Sequence, residues 1–279
     1  MQKKLKIWLQ YIAPQHLLTR FAGFMAENRI GWLKNFLIRW FIGKYNVDLK
    51  LARLEKVEDY PNFNSFFIRQ LKPELRPIVE GAKNIACPVD GAISQIGKIH
   101  KDVIFQAKGF YYHLSELLGG GESHAKTFFD GDFATLYLAP KDYHRVHMPL
   151  SGELRETIYI PGKLFSVNQL TVSQVPQLFS QNERLVCLFE TAVGPMAVIM
   201  VGAMIVGNIK TVWPLSFHPD RIVKKFYENM VRLEKGAEMG YFKLGSTVIV
   251  LFPKNVIEWE KGLKENSILQ MGKLFGKVH

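Results

Sequence analysis

Lys243-Leu244-Gly245-Ser246-Thr247-Val248-Ile249-Val250-Leu251-Phe252 places a glycine and two hydroxyl residues at the head of an apolar run. Positions 248–252 are all apolar, the pattern of a strand buried on both faces. Glycine inside a strand weakens it and marks a bulge or a close backbone approach. A buried serine needs a hydrogen-bond partner. Taken alone, Gly245-Ser246 reads as a loop-to-strand transition with Ser246 capping a turn.

Two upstream segments widen that reading. Pro88-Val89-Asp90-Gly91 sets an acid in a turn between two strand-like stretches, 84–87 and 92–99. Tyr143-His144-Arg145-Val146-His147-Met148-Pro149 follows the apolar strand 133–139. The chain thus offers an Asp, two His and a Ser, each close to Gly or Pro at a strand end. Strands that present polar groups at their tips are a common way to hold reacting side chains. Asp can orient His, and His can take the proton of Ser. Each residue also has an ordinary reading: Asp90 as a turn former, either histidine as a hydrogen-bonded structural residue. The His-x-x-His spacing lacks a third ligand at a telling distance, so no metal site is expected.

These segments, read together, resemble the prokaryotic phosphatidylserine decarboxylase proenzymes. The resemblance runs through Phe63-Asn64-Ser65-Phe66-Phe67-Ile68-Arg69, Leu71-Lys72 and Arg76-Pro77-Ile78, then Pro88 to Gly91 and Tyr143 to Pro149. It continues through Pro161-Gly162-Lys163-Leu164-Phe165-Ser166-Val167-Asn168, Val201-Gly202-Ala203 and Val206-Gly207. It ends in Glu238-Met239-Gly240-Tyr241-Phe242 and the Leu-Gly-Ser-Thr of 244–247.

The resemblance implies a self-processing lyase. The chain would cut itself between Gly245 and Ser246, with Ser246 attacking the preceding carbonyl. His147 would be the general base, and Asp90 would hold its tautomer. Ester formation, β-elimination and hydrolysis would convert Ser246 into a pyruvoyl cofactor. That group would head a 34-residue short chain (279 − 245), and residues 1–245 would form the long chain. The pyruvoyl ketone would form a Schiff base with phosphatidylserine, drain the charge left by CO2, and release phosphatidylethanolamine. His144 would contact the substrate carboxylate or supply a proton. No metal cofactor is implied.

Composition suits a lipid substrate. The net charge is +11, and residues 1–56 hold eleven Lys and Arg against three acids. Bulky residues such as Trp8, Phe21, Trp32 and Trp40 are interleaved with them. Apolar residues at 30, 33, 37, 40 and 41 fall at helical spacing. Such a helix can lie in an anionic membrane interface, where each basic residue contributes about 1 kcal/mol. It can equally pack its stripe on its own domain with the charges solvated. The alternation of basic and aliphatic residues, with no known nucleic-acid motif, argues against a nucleic-acid partner.

The longest apolar run, 196–207, is too short to span a bilayer and reads as a strand paired with 184–193 through a Gly194-Pro195 turn. The N-terminus does not read as a signal peptide, since Gln10 interrupts its apolar part. A peripheral position on the cytoplasmic face of the membrane is expected. Cys87 and Cys187 read as buried thiols of a reducing compartment.

The expected fold is α+β: a basic helical region over 1–75 packed on an antiparallel β-rich catalytic core over 76–279. Short helices are expected near 114–118 and 175–179. The two chains would stay together after cutting, because 34 residues cannot fold alone. The oligomeric state is open, a homodimer included. Two other functions compete on the residues alone. A lipid serine hydrolase would use the same Asp, His and Ser but lacks the Gly-x-Ser-x-Gly elbow. A non-catalytic membrane-binding module would need none of them.

Overall fold

The computed structural model describes residues 7, 8, 10–203, 209–228, 231–243 and 246–279, with Ser246 described in its backbone only. Leu244 and Gly245 of the expected cleavage motif, and Val206 and Gly207, lie outside the described residues.

Helices α1 (Gln15–Ala26), α2 (Gly31–Tyr45) and α3 (Phe63–Phe67) come first. Strands β1 (Asn84–Ala86), β2 (Gly91–Lys98), β3 (Val103–Ala107) and β4 (Phe110–His113) follow, then α4 (Leu114–Leu117) and α5 (Glu122–Thr127). Next are β5 (Asp132–Leu138), β6 (Arg145–His147), β7 (Gly152–Ile160), α6 (Gln169–Val172) and α7 (Leu178–Gln181). The rest is strand: β8 (Arg184–Thr191), β9 (Gly194–Val201), β10 (Ile209–Thr211), β11 (Val223–Phe226), β12 (Arg232–Leu233) and β13 (Glu238–Phe242). The last four are β14 (Ser246–Phe252), β15 (Ile257–Trp259), β16 (Ile268–Leu269) and β17 (Leu274–Val278).

The apolar run after Ser246 lies in the middle of the largest sheet, whose order is β11-β7-β8-β9-β14-β5-β2-β16, with β12 also on β7. β14 pairs with β5 on one side and β9 on the other, Val248 facing Leu136 and Met200. Residues 248–252 are fully buried, as the unbroken apolar pattern requires. Leu117 and Leu118 at α4, Phe128 after α5, and Leu178 and Phe179 of α7 join the same core. The strand pairs among the described residues are all antiparallel, and the α+β class expected above holds.

A second sheet, β10-β13-β6, carries the histidine segment. β13 ends at Phe242 and β14 begins at Ser246, so residues 243–245 join them in sequence. The segment expected to be cut is therefore the link between the two sheets.

The N-terminal helices build a second apolar cluster around Ile38, Phe41, Tyr60, Phe63, Phe66 and Phe67. Asn62 caps α3 by accepting the Ser65 backbone N–H at 2.8 Å. The apolar stripe expected at 30, 33, 37, 40 and 41 does not form one face. Lys34, Ile38 and Phe41 point inward, and Trp32, Phe36 and Trp40 point to solvent. α2 is apolar nearly all round, so periodicity alone could not choose its packed side. The inward Lys34 is satisfied by the carbonyls of Val57 and Glu58, at 3.4 and 3.2 Å.

Two local expectations shift. The β8–β9 hairpin turns at Ala192-Val193, and Gly194 with φ +101° is already paired with Thr191. The helix expected at 175–179 is displaced to 178–181, because the chain passes Pro176 and a left-handed Gln177 (φ +50°) before helical geometry starts.

Candidate active site

β6 brings His147 against β13, where it faces Glu238. The His147 backbone N–H donates to the carbonyl of Pro88 at 2.9 Å. The Asp90 turn and the histidine strand are thus neighbours, as two sequence motifs 57 residues apart had to be for shared chemistry (147 − 90). Gly91 begins β2 so close to β5 that a Cβ there would sit 2.3 Å from the Tyr137 carbonyl oxygen. Only glycine fits, which explains the Asp-Gly pair.

The His147 ring is nearly buried. Its Nδ1 lies 2.8 Å from the carbonyl oxygen of Gly236. A carbonyl can only accept, so Nδ1 carries the proton and Nε2 presents a lone pair. Tyr143 Oη lies 3.2 Å from that Nε2 and donates to it. Burial lowers the His147 pKa, against the opposing pull of the Gly236 hydrogen bond and Glu238. The imidazole is therefore neutral near pH 7, the state a general base requires.

The partner of Asp90 differs from the expectation. Its carboxylate receives Arg76 Nε at 2.9 Å and Nη2 at 2.5 Å, and the Met271 backbone N–H at 2.8 Å. No hydrogen bond joins Asp90 to His147; the Gly236 carbonyl holds the tautomer instead. Asp90 acts on His147 only as a nearby negative charge, the smallest influence on its pKa. The acid is better described as a clamp between Arg76 and the segment after β16.

His144 is completely buried, its ring stacked on Phe67 at 4.1 Å between centroids. Neither ring nitrogen has a hydrogen-bond partner among the described residues. Burial first, and the Arg69 charge second, push its pKa down to about 3. It is uncharged at neutral pH and does not offer a cation to a carboxylate. His144 and His147 face different surroundings, as alternation along a strand end requires.

Of Ser246 the backbone is placed: it opens β14 opposite Leu138, the last residue of β5. The residues after β5, 139–144, lead to β6, so the same sheet end carries Ser246 and the approach to His144 and His147. Sequence reasoning assigned no role to Arg76, Tyr143, Gly236 or Glu27. Glu27, after α1, accepts Lys243 Nζ at 2.7 Å, two positions before Gly245, and the side-chain amides of Asn62 and Asn64 at 2.9 and 2.8 Å. Tyr143, one helical or four strand steps from His147, was visible in the motif; the others are linked only by folding. No group of three His, Cys, Asp or Glu placed to hold a metal occurs among the described residues.

Comparison with known proteins bears on this geometry. The family model described as phosphatidylserine decarboxylase matches residues 63–277, and a second, described as PSD, matches residues 5–46. The phosphatidylserine decarboxylase proenzyme of Ectopseudomonas mendocina is 52% identical over 284 residues, covering 100% of this chain and 99% of that protein. Its namesake in Pseudomonas aeruginosa strain LESB58 is 53% identical over 275 residues, covering 96% and 95%. That of Idiomarina loihiensis is 50% identical over 282 residues, covering 99% and 97%. With half of its residues shared with such proteins from end to end, and its histidine strand paired to the strand that leads into Gly245-Ser246, this chain belongs to the phosphatidylserine decarboxylase family.

Proposed function

We propose that the chain cuts itself between Gly245 and Ser246 and, once cut, decarboxylates phosphatidylserine to phosphatidylethanolamine and CO2. The observation that carries this reading is the neutral His147. Its Nε2 lone pair sits on β6, beside the strand that feeds residues 243–246. Family membership supports the substrate.

In the cutting step Ser246 Oγ attacks the Gly245 carbonyl carbon, and His147 Nε2 takes the hydroxyl proton. Tyr143 has to release that lone pair first, a small rotation of a hydroxyl. The peptide becomes an ester as the Ser246 nitrogen leaves the acyl carbon. Loss of the Ser246 Cα proton then expels the long chain as a carboxylate, and hydrolysis releases ammonia. Residue 246 is left as a pyruvoyl ketone, which supplies an electron sink for the carbanion that forms when CO2 departs. The residues present suit such a group. Its carrier strand is buried from Thr247 to Phe252, and the His144 and His147 imidazoles are neutral and can move protons. His144, uncharged and buried with the Pro140 and Ala139 carbonyls near its ring, is suited to a hydrogen-bonding role toward substrate and not to that of a cationic clamp.

The fold supports the two pieces staying together. β14 lies between β5 and β9, β16 pairs with β2, and β17 pairs with β1. Asp90 adds its bond to the Met271 N–H. A 34-residue fragment held by four ladders would not leave.

The same proposal places the N-terminal helices on an anionic membrane surface at the cytoplasmic face. Leu17, Phe21 and Phe24 of α1 and Trp32, Phe36 and Trp40 of α2 all expose their side chains. They sit in the segment with eleven basic residues against three acids. No described helix is long and apolar enough to cross a membrane.

Intact mass and a denaturing gel test the reading. The expected result is a long chain plus a 34-residue fragment whose N-terminus resists Edman degradation and reacts with hydroxylamine. Ser246→Ala should give one 32.0 kDa chain without CO2 release. Active wild-type material that is uncut would overturn it, and would favour a serine hydrolase.

A further inference from the structure

Away from the His147 imidazole and β14, a cavity of about 370 Å³ opens between the segment after α2, the end of α3 and β6. Arg53 stands at its exposed rim, Arg69 is buried against it, and Arg145 forms one side. None of the lining residues is acidic.

The three guanidinium groups are not equally satisfied. Arg145 is neutralised by both oxygens of Glu238, at 2.7 and 2.8 Å, and donates Nε to the Ile68 carbonyl at 2.9 Å. Arg53 makes a single side-chain bond, Nη1 to Gln70 Oε1 at 3.3 Å, and no ion pair among the described residues. Arg69 is only 5% exposed, yet its Nε and Nη1 have no hydrogen-bond partner there. Only its Nη2 is used, by the Lys141 carbonyl at 2.7 Å and, weakly, by that of Asp142. Arg69 has no ion-pair partner among the described residues either. A guanidinium stays charged in proteins, and here the acids that act on it, Asp142 and Asp90, do so from beyond ion-pair distance, so a buried Arg69 with free donors favours a closer anion. The Phe66 ring beneath it, 5.4 Å away, stabilises the charge in part.

From this we infer that the Arg53–Arg69–Arg145 cavity is an anion site that takes a phosphate group. The free donors on Arg69 point along different directions of the guanidinium plane, and Arg53 approaches from the rim. A tetrahedral oxyanion, with three or four acceptor oxygens, can accept from both guanidinium groups at once. Ser65 Oγ is committed to Asn62 Oδ1 at 2.8 Å and Tyr60 Oη to the Leu54 carbonyl at 2.6 Å, so the side-chain donors that remain are the arginines and the Gln70 amide. The phosphate can belong to free inorganic phosphate or to the diester of a lipid head group. The inference does not rest on the cutting of residue 246.

The test is calorimetric titration of the full-length protein, in phosphate- and sulfate-free buffer, with sodium phosphate and separately with monomeric dihexanoyl phosphatidylglycerol. Arg53→Gln and Arg69→Gln are titrated beside the wild type. Saturable binding that weakens about tenfold in Arg53→Gln, and at least as much in Arg69→Gln, is expected for the loss of one charge-assisted hydrogen bond. Binding of phosphate alone assigns the site to the free ion; binding of the diester assigns it to a head group. Absence of binding by either anion, or binding unchanged in the substituted proteins, overturns the inference. Arg53 is a rim residue whose removal leaves the fold intact, so its titration decides the matter even if Arg69→Gln fails to fold.

Discussion

Glu27 and Lys243, 216 residues apart in sequence, form an ion pair at 2.7 Å that ties the end of α1 to the last described residue before Leu244-Gly245. Lys243 is the first cause of the lowered Glu27 pKa. Asn64 donates to the same Glu27 oxygen as Lys243, and Asn62 to the other. The N-terminal helices and the cleavage segment are therefore mechanically joined. The helices hold Lys243, the residue that leads into the proposed cleavage site.

Removing that tie should affect maturation more than stability. Glu27 is half-exposed, and exposed pairs contribute at most about 1 kcal/mol. Glu27→Gln is expected to slow appearance of the 34-residue fragment several-fold while the melting temperature moves by only a few degrees. A pulse–chase gel reads the first and calorimetry the second. A wild-type cutting rate would show that the pair does not position the segment.

The Asp90–Arg76 clamp predicts a different signature. Both side chains are about 12% exposed, and breaking a buried pair leaves an uncompensated charge. Asp90→Asn and Arg76→Met should each destabilise by about 3 kcal/mol in urea unfolding. The double substitution should recover part of that loss, since no charge is left unpaired. If Asp90 instead acted directly on His147, Arg76→Met would leave cutting untouched while Asp90→Asn slowed it.

Glu183 supplies the pH dependence. Burial pushes its carboxyl up to about 7 from an ordinary 4.5. A folded-state pKa above the unfolded value means that the folded protein binds the proton more tightly. The stability from the neutral form is complete below about pH 4.5 and is lost as pH rises through about 7. Glu183→Gln should thus stabilise by about 2 kcal/mol at pH 8 relative to wild type, with the difference shrinking below pH 5. Denaturant titrations at the two pH values check this; a constant difference would show that Glu183 is not the group responsible.

The exposed aromatic face of α2 gives the membrane prediction. Trp32→Ser with Phe36→Ser should weaken binding to phosphatidylglycerol vesicles, read by co-sedimentation, about thirtyfold or more. Each lost side chain is expected to remove on the order of 1–2 kcal/mol of interfacial burial. Unfolding free energy should stay within about 0.5 kcal/mol, because both side chains are largely exposed. Unaltered sedimentation would remove α2 from the membrane face.

Much of the scaffold was legible in the chain. The apolar run at 248–252 and the mostly apolar 133–138, interrupted by Thr135, are strands of the buried sheet centre, and the Asp90-Gly91 pair marks the tight approach of β2 to β5. The orientation of α2 was not legible, because nearly every face of that helix is apolar and only the neighbours Val57, Tyr60 and Phe66 select the inward one. The turn between β8 and β9 slipped by two residues because Gly194 tolerates its positive φ inside the ladder.

At the site the division has the same origin. Residue identity along the chain was enough to determine a Ser at the head of a buried strand, two histidines at the end of another, an acid in a glycine turn, and a basic, aromatic-rich N-terminus. Only the tertiary structure decided what each polar group bonds: His147 to Gly236, Asp90 to Arg76 and Met271, Glu27 to Lys243, and Arg69 to almost nothing. Those choices depend on which distant atoms packing brings within 3 Å once water has been excluded. Side-chain chemistry and local spacing carry no record of that distance.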